Sequence, residues 1–183
     1  KKNELWPIDE EFETDPRSRH VGKVDTENWL KKEGIPFTSF RPTYIYGPGN
    51  YNPIEKWFFD RITNNRPVPI PGDGSSITQL GHVSDLAKAM LTSLNCKSAT
   101  NKIYNCSGKK GVTFRGLVET AAKVCGKNLD NIDIRSFNSK GLDPKARKAF
   151  PLRIANFLTD ITLIEQDLNW SPSYNLEQGF QES

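Results

Sequence analysis

Extended runs and capped amphipathic runs alternate along almost the whole chain, and no other feature restricts its fold so strongly. A helix is expected from about His20 to Lys32, with Val21, Val24 and the Trp29–Leu30 pair as its apolar stripe and Gly34 as its left-handed stop. Ile35 to Arg41 reads as a strand, its start confined by Pro36 and its core contacts supplied by Phe37 and Phe40. Tyr46-Gly47-Pro48-Gly49-Asn50 is loop chemistry. Asn52 is expected to cap a second helix with Pro53 in its first turn and Trp57, Phe58 and Ile62 on its apolar side. An extended piece at Val68–Ile70, a turn at Pro71–Gly74 and a strand near Ile77–Leu80 follow. Ser84 caps a helix through Leu94 that carries Leu86, Met90, Leu91 and Leu94 on one face. After a strand at Lys102–Cys106, a helix runs from Thr113 to Cys125 and ends at Gly126. A strand at Ile132–Phe137 comes next, and Thr159 or Asp160 caps a last helix bearing Ile161, Ile164 and Leu168. Strands alternating with helices at these lengths specify an α/β fold. No repeat, low-complexity tract or linker interrupts the series, so the elements are expected to form one body.

With 36% hydrophobic and 26% charged residues, the chain belongs with folded proteins and not with disordered ones. No apolar run approaches the roughly 20 residues of a membrane-spanning helix, so no membrane partner is expected. Lys1 opens a polar stretch with no apolar signal core behind it. Met90 is the only methionine, so the sequence reads as a fragment or a processed chain. Cys96, Cys106 and Cys125 form no CxxC pair; buried, inert thiols in a reducing compartment are expected.

Charge is uneven. Residues 3 to 15 hold Glu4, Asp9, Glu10, Glu11, Glu13 and Asp15 without a Lys or Arg. Between 135 and 153 lie Arg135, Lys140, Lys145, Arg147, Lys148 and Arg153 against one acid, Asp143, and no basic residue follows. Such a block attracts phosphates or forms a solvated face; its sequence leaves both open.

Several short segments, in order, resemble the second half of the extended short-chain dehydrogenase/reductases, the superfamily of NAD-dependent nucleotide-sugar epimerases and dehydratases. They are Arg41-Pro42-Thr43-Tyr44-Ile45-Tyr46-Gly47-Pro48-Gly49, Pro71-Gly72-Asp73-Gly74, His82-Val83-Ser84-Asp85-Leu86-Ala87, Ile103-Tyr104-Asn105-Cys106-Ser107-Gly108 and Asp167-Leu168-Asn169-Trp170-Ser171-Pro172. A narrower set is similar to the chloroplast stem-loop-binding proteins and their cyanobacterial relatives: Arg17-Ser18-Arg19-His20-Val21-Gly22-Lys23, Asn50-Tyr51-Asn52-Pro53, Trp57-Phe58-Phe59, Gln79-Leu80-Gly81-His82-Val83 and Lys148-Ala149-Phe150-Pro151-Leu152-Arg153.

The resemblance implies that residues 1–183 are the C-terminal part of a Rossmann-like fold. The last sheet strands would be interleaved with the small substrate-side subdomain, and the dinucleotide-binding first half and a short tail after Ser183 would be absent. It implies stem-loop RNA as partner, endoribonuclease activity with Mg²⁺ if the chain is a nuclease, and NAD(P) as a vestigial ligand. It also implies a chloroplast stroma or cyanobacterial cytoplasm, and leaves room for oligomers with itself or related proteins. The alternative is an NAD(P)-dependent nucleotide-sugar epimerase or dehydratase.

For the superfamily's hydride chemistry the resemblance aligns Lys23 with the ribose-holding lysine of Tyr-x-x-x-Lys, which puts Arg19 where the proton-exchanging tyrosine belongs. A guanidinium stays protonated and is no substitute for a phenolate, so ordinary redox chemistry is disfavoured. His20 titrates near neutrality, but one step along a helix turns it about 100° away. Lys23, Pro42 and Tyr44 would border the nicotinamide end of a cofactor. Thr78 occupies the place of an arginine that binds substrate phosphate in many of these enzymes; Arg61 or Arg66 could replace its charge. Asn50 and Asn52 stand at substrate-binding positions or do turn and cap work. His82 reads as a structural residue ahead of its helix more readily than as a catalyst. For RNA, Tyr44, Tyr46, Tyr51 and Trp57 lie near Arg41, Arg61 and Arg66, and Lys145, Arg147 and Lys148 offer phosphate contacts. Asp73 and Asp85 are carboxylates open to Mg²⁺, although turn formation and helix-start charge explain them as well. No catalytic constellation or metal site is legible.

Overall fold

A computed structural model describes residues 7–183; Glu4 of the acidic segment lies outside them. The elements run α1 (Val21–Lys32), β1 (Thr38–Pro42), β2 (Tyr44–Tyr46), α2 (Ile54–Thr63), β3 (Val68–Pro71), β4 (Ile77–Thr78), β5 (Leu80–His82), α3 (Val83–Ser93), β6 (Lys102–Cys106), β7 (Val112–Thr113), α4 (Phe114–Val124), β8 (Ile134–Phe137), α5 (Pro144–Arg147), α6 (Thr162–Leu168) and α7 (Leu176–Gln181). Strands β1 and β6 pair in parallel with Pro42 opposite Cys106, β2 pairs β5 and β3 pairs β8 in the same sense, and β4 with β7 is antiparallel. Parallel partners need long crossovers, and the helices between them supply these, which makes the molecule α/β as expected.

The core falls into two clusters. One gathers Phe58 and Ile62 of α2, Val68 and Ile70 of β3, and Phe114, Leu117 and Val118 of α4, with Phe150 and Phe180. The other joins Ala89 of α3, Tyr104 of β6, and Ile164 and Leu168 of α6 to Trp170. Each large side chain so buried contributes about 1.5–3 kcal/mol.

Four expectations need correction. The apolar stripe of α1 is not buried: Val21 and Trp29 are exposed, and the only buried residue of the helix is Glu27. Glu27 takes a hydrogen bond from Ser39 at 2.6 Å and pairs with Arg41 at 2.5 Å, so an ion pair anchors this helix to β1. On α3 the buried positions are Asp85 and Ala89, while Met90, Leu91 and Leu94 face outward. Asn52 does not cap α2; Pro53 holds that position without a side-chain bond, and the Asn52 amide N–H donates to the Asn50 side chain at 3.1 Å. Ile161 starts α6 without a side-chain cap, although Asp160 accepts from the Thr162 N–H, and a further helix, α7, follows with a capping box between Asn175 and Gln178.

The expected strand at Ile77–Leu80 breaks into β4 and β5 around Gln79. This side chain is buried and turns inward: its oxygen accepts from the Thr159 N–H at 2.7 Å and hydroxyl at 2.9 Å, and its nitrogen donates to the Gly108 carbonyl at 2.7 Å. His82 is also structural. Its Nδ1 accepts the Ser84 N–H at the start of α3, and its ring stacks on Tyr174 with centroids 3.9 Å apart. Gly47 is required here, because a Cβ would meet His82 Nε2 at 2.6 Å and φ is +109°. All three cysteines are free, and burial pushes the Cys106 thiol up to about 12.

Of the acidic segment, Glu10 is fixed by accepting the Asn105 N–H at 2.7 Å. Burial pushes its carboxyl above the ordinary carboxylate range, more than that hydrogen bond lowers it. A folded-state value above the unfolded one means that the protonated form favours folding; the stability it brings is present below the unfolded value and is lost as pH rises through the folded one. Glu10→Gln keeps an acceptor for Asn105 and removes the charge. The variant should be at least as stable as the parent at neutral pH, with a flatter dependence of stability on pH in the acidic range, read from urea midpoints across about pH 4 to 8.

Candidate RNA-binding cleft

The segment after β8 carries the basic block, and Asp143 organises it. Its carboxylate accepts the N–H groups of Lys145 at 2.8 Å and Ala146 at 3.0 Å, and Pro144 fits the first helical position, so a single turn, α5, forms. The one acid of the block is thus engaged as a helix cap. Arg135 is paired with Asp133. Lys140, Lys145, Arg147, Lys148 and Arg153 have no acidic partner within ion-pair distance among the described residues, and Arg147 donates only to the Ser139 carbonyl.

Past α5 the chain packs onto α2. The indole N–H of Trp57 donates to the Ala149 carbonyl at 3.1 Å, Phe150 inserts edge-on at 5.6 Å from Trp57, and the Arg153 N–H donates to the Tyr44 hydroxyl at 2.7 Å. Between α2 and this segment opens a cavity of about 760 Å³ whose walls include Asn52, Trp57, Pro144, Arg147, Lys148 and Phe150. Arg61 lies over the Trp57 ring with its guanidinium carbon 3.8 Å from the centroid, the geometry of a cation–π pair.

This cleft unites Asn52, Trp57, Arg147 and Lys148; Arg61 is joined to it only through the Trp57 ring, and the other candidates lie elsewhere. Tyr46 is buried, Tyr51 points fully into solvent, and Arg41 is held by Glu27. Lys145 and Arg66 are exposed. Tyr44 is half-buried with its hydroxyl engaged by Arg153, so it is a peg for the basic segment. Asn50 does turn work, donating to the Ile45 carbonyl and accepting the Asn52 N–H. Phe150, Pro144 and the Ala149 carbonyl were not singled out from sequence; the run Lys148–Arg153 was the available signal.

At the expected cofactor end, Arg19 and His20 lie in the turn before α1, not along its surface, and the guanidinium donates to the imidazole at 3.0 Å. The argument from helical rotation therefore does not apply to them. Lys23 and Pro42 are exposed. Arg19, which the resemblance aligns with the proton-exchanging tyrosine, carries a guanidinium and no phenol hydroxyl. Thr78 is buried with its hydroxyl unpartnered and carries no charge; of the two arginines that could replace the phosphate-binding one, Arg61 is stacked on Trp57 and Arg66 is exposed. Asp73 closes a turn by accepting from Ser75, and Asp85 accepts the N–H groups of Ser173 and Tyr174. Among the described residues no group of three or more His, Cys, Asp or Glu is placed to hold a metal, and no helix is long and apolar enough to cross a membrane.

Residues 16–107 match the family model described as the NAD dependent epimerase/dehydratase family, half of the chain. The chain belongs to that family. Among its family relatives, the UDP-glucuronate 4-epimerase of Thermodesulfobacterium geofontis is 24% identical over 81% of this chain and 42% of its own length. A chloroplast stem-loop binding protein of 41 kDa from Arabidopsis thaliana is 44% identical over the whole of this chain and 48% of its own length. The chain spans about half the length of these curated relatives. The epimerase fold is shared in three dimensions: UDP-glucose 4-epimerase from Thermotoga maritima superposes with a TM-score of 0.77 at 21% identity, covering 98% of this chain and 56% of the enzyme. UDP-glucuronic acid 4-epimerase from Bacillus cereus, solved with NAD, gives 0.77 at 17% identity over the whole chain and 56% of the enzyme. These likenesses show a Rossmann-like α/β fold, as expected from the sequence.

Proposed function

We propose that this chain is the RNA-holding part of a plastid protein that binds stem-loop RNA. One observation carries the reading: a cleft with the Trp57 ring in its wall is rimmed by cations with no acidic partner among the described residues. RNA needs both, cations for phosphate and planar groups for unpaired bases. The name of the Arabidopsis relative supports both the ligand and the plastid setting. In this reading the chain supplies the last sheet strands and the substrate-side subdomain of the whole protein.

Endonucleolytic cleavage is the finer part of the proposal. No described constellation carries it, and Asp73 and Asp85 are committed to structural bonds. NAD(P) as a vestigial ligand rests on family membership and on Lys23 alone. The rival, a nucleotide-sugar epimerase or dehydratase, draws support from the same family membership and meets the Arg19 and Thr78 positions as obstacles.

The test is filter binding of a stem-loop RNA by the full-length protein across a salt series, with isothermal titration of NAD⁺ and a nucleotide-diphosphate sugar beside it. Binding that weakens steeply with salt is expected. No binding at low salt, or tight binding and turnover of both small ligands, would overturn the RNA reading.

A further inference from the structure

We infer that the cleft between α2 and the basic segment accepts an unpaired loop nucleotide, with its base against Trp57 and its flanking phosphates on Arg147 and Lys148; this deepens the RNA-binding reading and rests on it. The shape of the site separates a loop from a stem. Base faces in an A-form stem are covered by their neighbours, and its deep major groove excludes side chains, so duplex RNA is held mainly by its backbone. Such contact needs an exposed ridge or plane of cations. The cavity of about 760 Å³ is a recess, and Trp57 is set into its wall. That size belongs to pockets that enclose a small organic group.

The chemistry of the wall agrees. Trp57 is held by its indole N–H on the Ala149 carbonyl and by edge contacts to Phe58 and Phe150, so its ring is fixed before a ligand arrives. Arg61 fixes it further from α2. The side-chain amide of Asn52 makes no hydrogen bond among the described residues, and it stands on the same wall with a donor and an acceptor for a base edge. Arg147 and Lys148 are exposed at the rim with no acid to satisfy them. Stacking surface, base-edge amide and phosphate cations thus converge on one recess, whereas Lys140 and Lys145 stay on the outer surface for the stem.

The experiment uses the full-length protein and three RNAs with one stem: an intact hairpin, the same hairpin with abasic loop nucleotides, and a blunt duplex. The intact hairpin should bind about 5- to 150-fold more tightly than the other two, the range that one stacked base supplies. Trp57→Leu should bring the intact hairpin down to the abasic level while leaving the salt slope unchanged, because no charge is removed. Trp57→Phe should keep most of the discrimination. Equal affinity of the wild-type protein for the intact and abasic hairpins overturns the loop-nucleotide inference while RNA binding stands, and that comparison decides even where Trp57→Leu fails to fold. Absence of binding to all three overturns the RNA reading itself.

Discussion

Replacing Gln79 with leucine should lower the free energy of unfolding by about 2–5 kcal/mol, since leaving a buried donor or acceptor unpaired costs about 1–3 kcal/mol each. Leucine removes the partner of the Thr159 N–H and the donors that Gln79 offers to the Gly108 and Thr159 carbonyls, of which Gly108 keeps the longer bond from the Ser107 hydroxyl at 3.3 Å. The Thr159 hydroxyl retains Ser107 at 3.2 Å, so it adds little to the loss. Against a total stability of about 5–15 kcal/mol, the change is severe. Gln79→Glu sharpens the test. The carboxylate still accepts from Thr159 but can no longer donate to the Gly108 and Thr159 carbonyls, and it buries a charge. It should be worse than leucine at neutral pH and recover as acid protonates it. Urea unfolding within about 0.5 kcal/mol of the parent for the leucine variant, the usual range of a surface change, would remove the network from the account.

Reversing Lys145, Arg147 and Lys148 to glutamate should cost the protein about two decades of RNA affinity at about 0.1 M salt. Each lost single-strand contact carries about 0.7 of slope, and at that salt about 0.7 of a decade, so three contacts flatten the slope by about 2. The added negative charges push the same way. All three side chains are exposed and none is in an ion pair among the described residues, so the melting temperature should move little. Asp143 must stay, because its carboxylate caps the turn that presents these cations. A folded triple variant with unchanged affinity and slope would assign the block to ordinary solvated surface.

Much of this architecture was legible from local rules. Gly34 and Gly126 end their helices with φ near +65°, and Thr113 caps α4, because those jobs depend on backbone conformation a few residues away. What misled was periodicity without a partner. Val21 and Trp29, and Met90, Leu91 and Leu94, form apolar patterns that sequence alone assigns to a core, yet tertiary contact falls on the polar residues Glu27 and Asp85. Gln79 was unreadable for the opposite reason: a polar residue in a strand-like run is ordinarily exposed, and its partners lie 29 and 80 residues away. The cleft was half legible. Arg147, Lys148 and Trp57 stood out by type, but what unites them is the Trp57–Ala149 hydrogen bond, a contact over 92 residues that no spacing announces.

The stretch that follows the basic block is tied to the body at three places: Tyr44 on the Arg153 N–H, the Ile77 backbone on Asn156 and Phe157, and Gln79 on Thr159. The first and last of these grip the stretch by its backbone, and between them Ile154 and Ala155 lie outside any ladder. A strand replaced here would have to keep its alternation; a strung line does not. Ile154 rests on the core and the Asn156 side chain is itself a tie, so drift is open to exposed Arg153 and Ala155, where charge can be rewritten in descendants with the scaffold inherited unchanged.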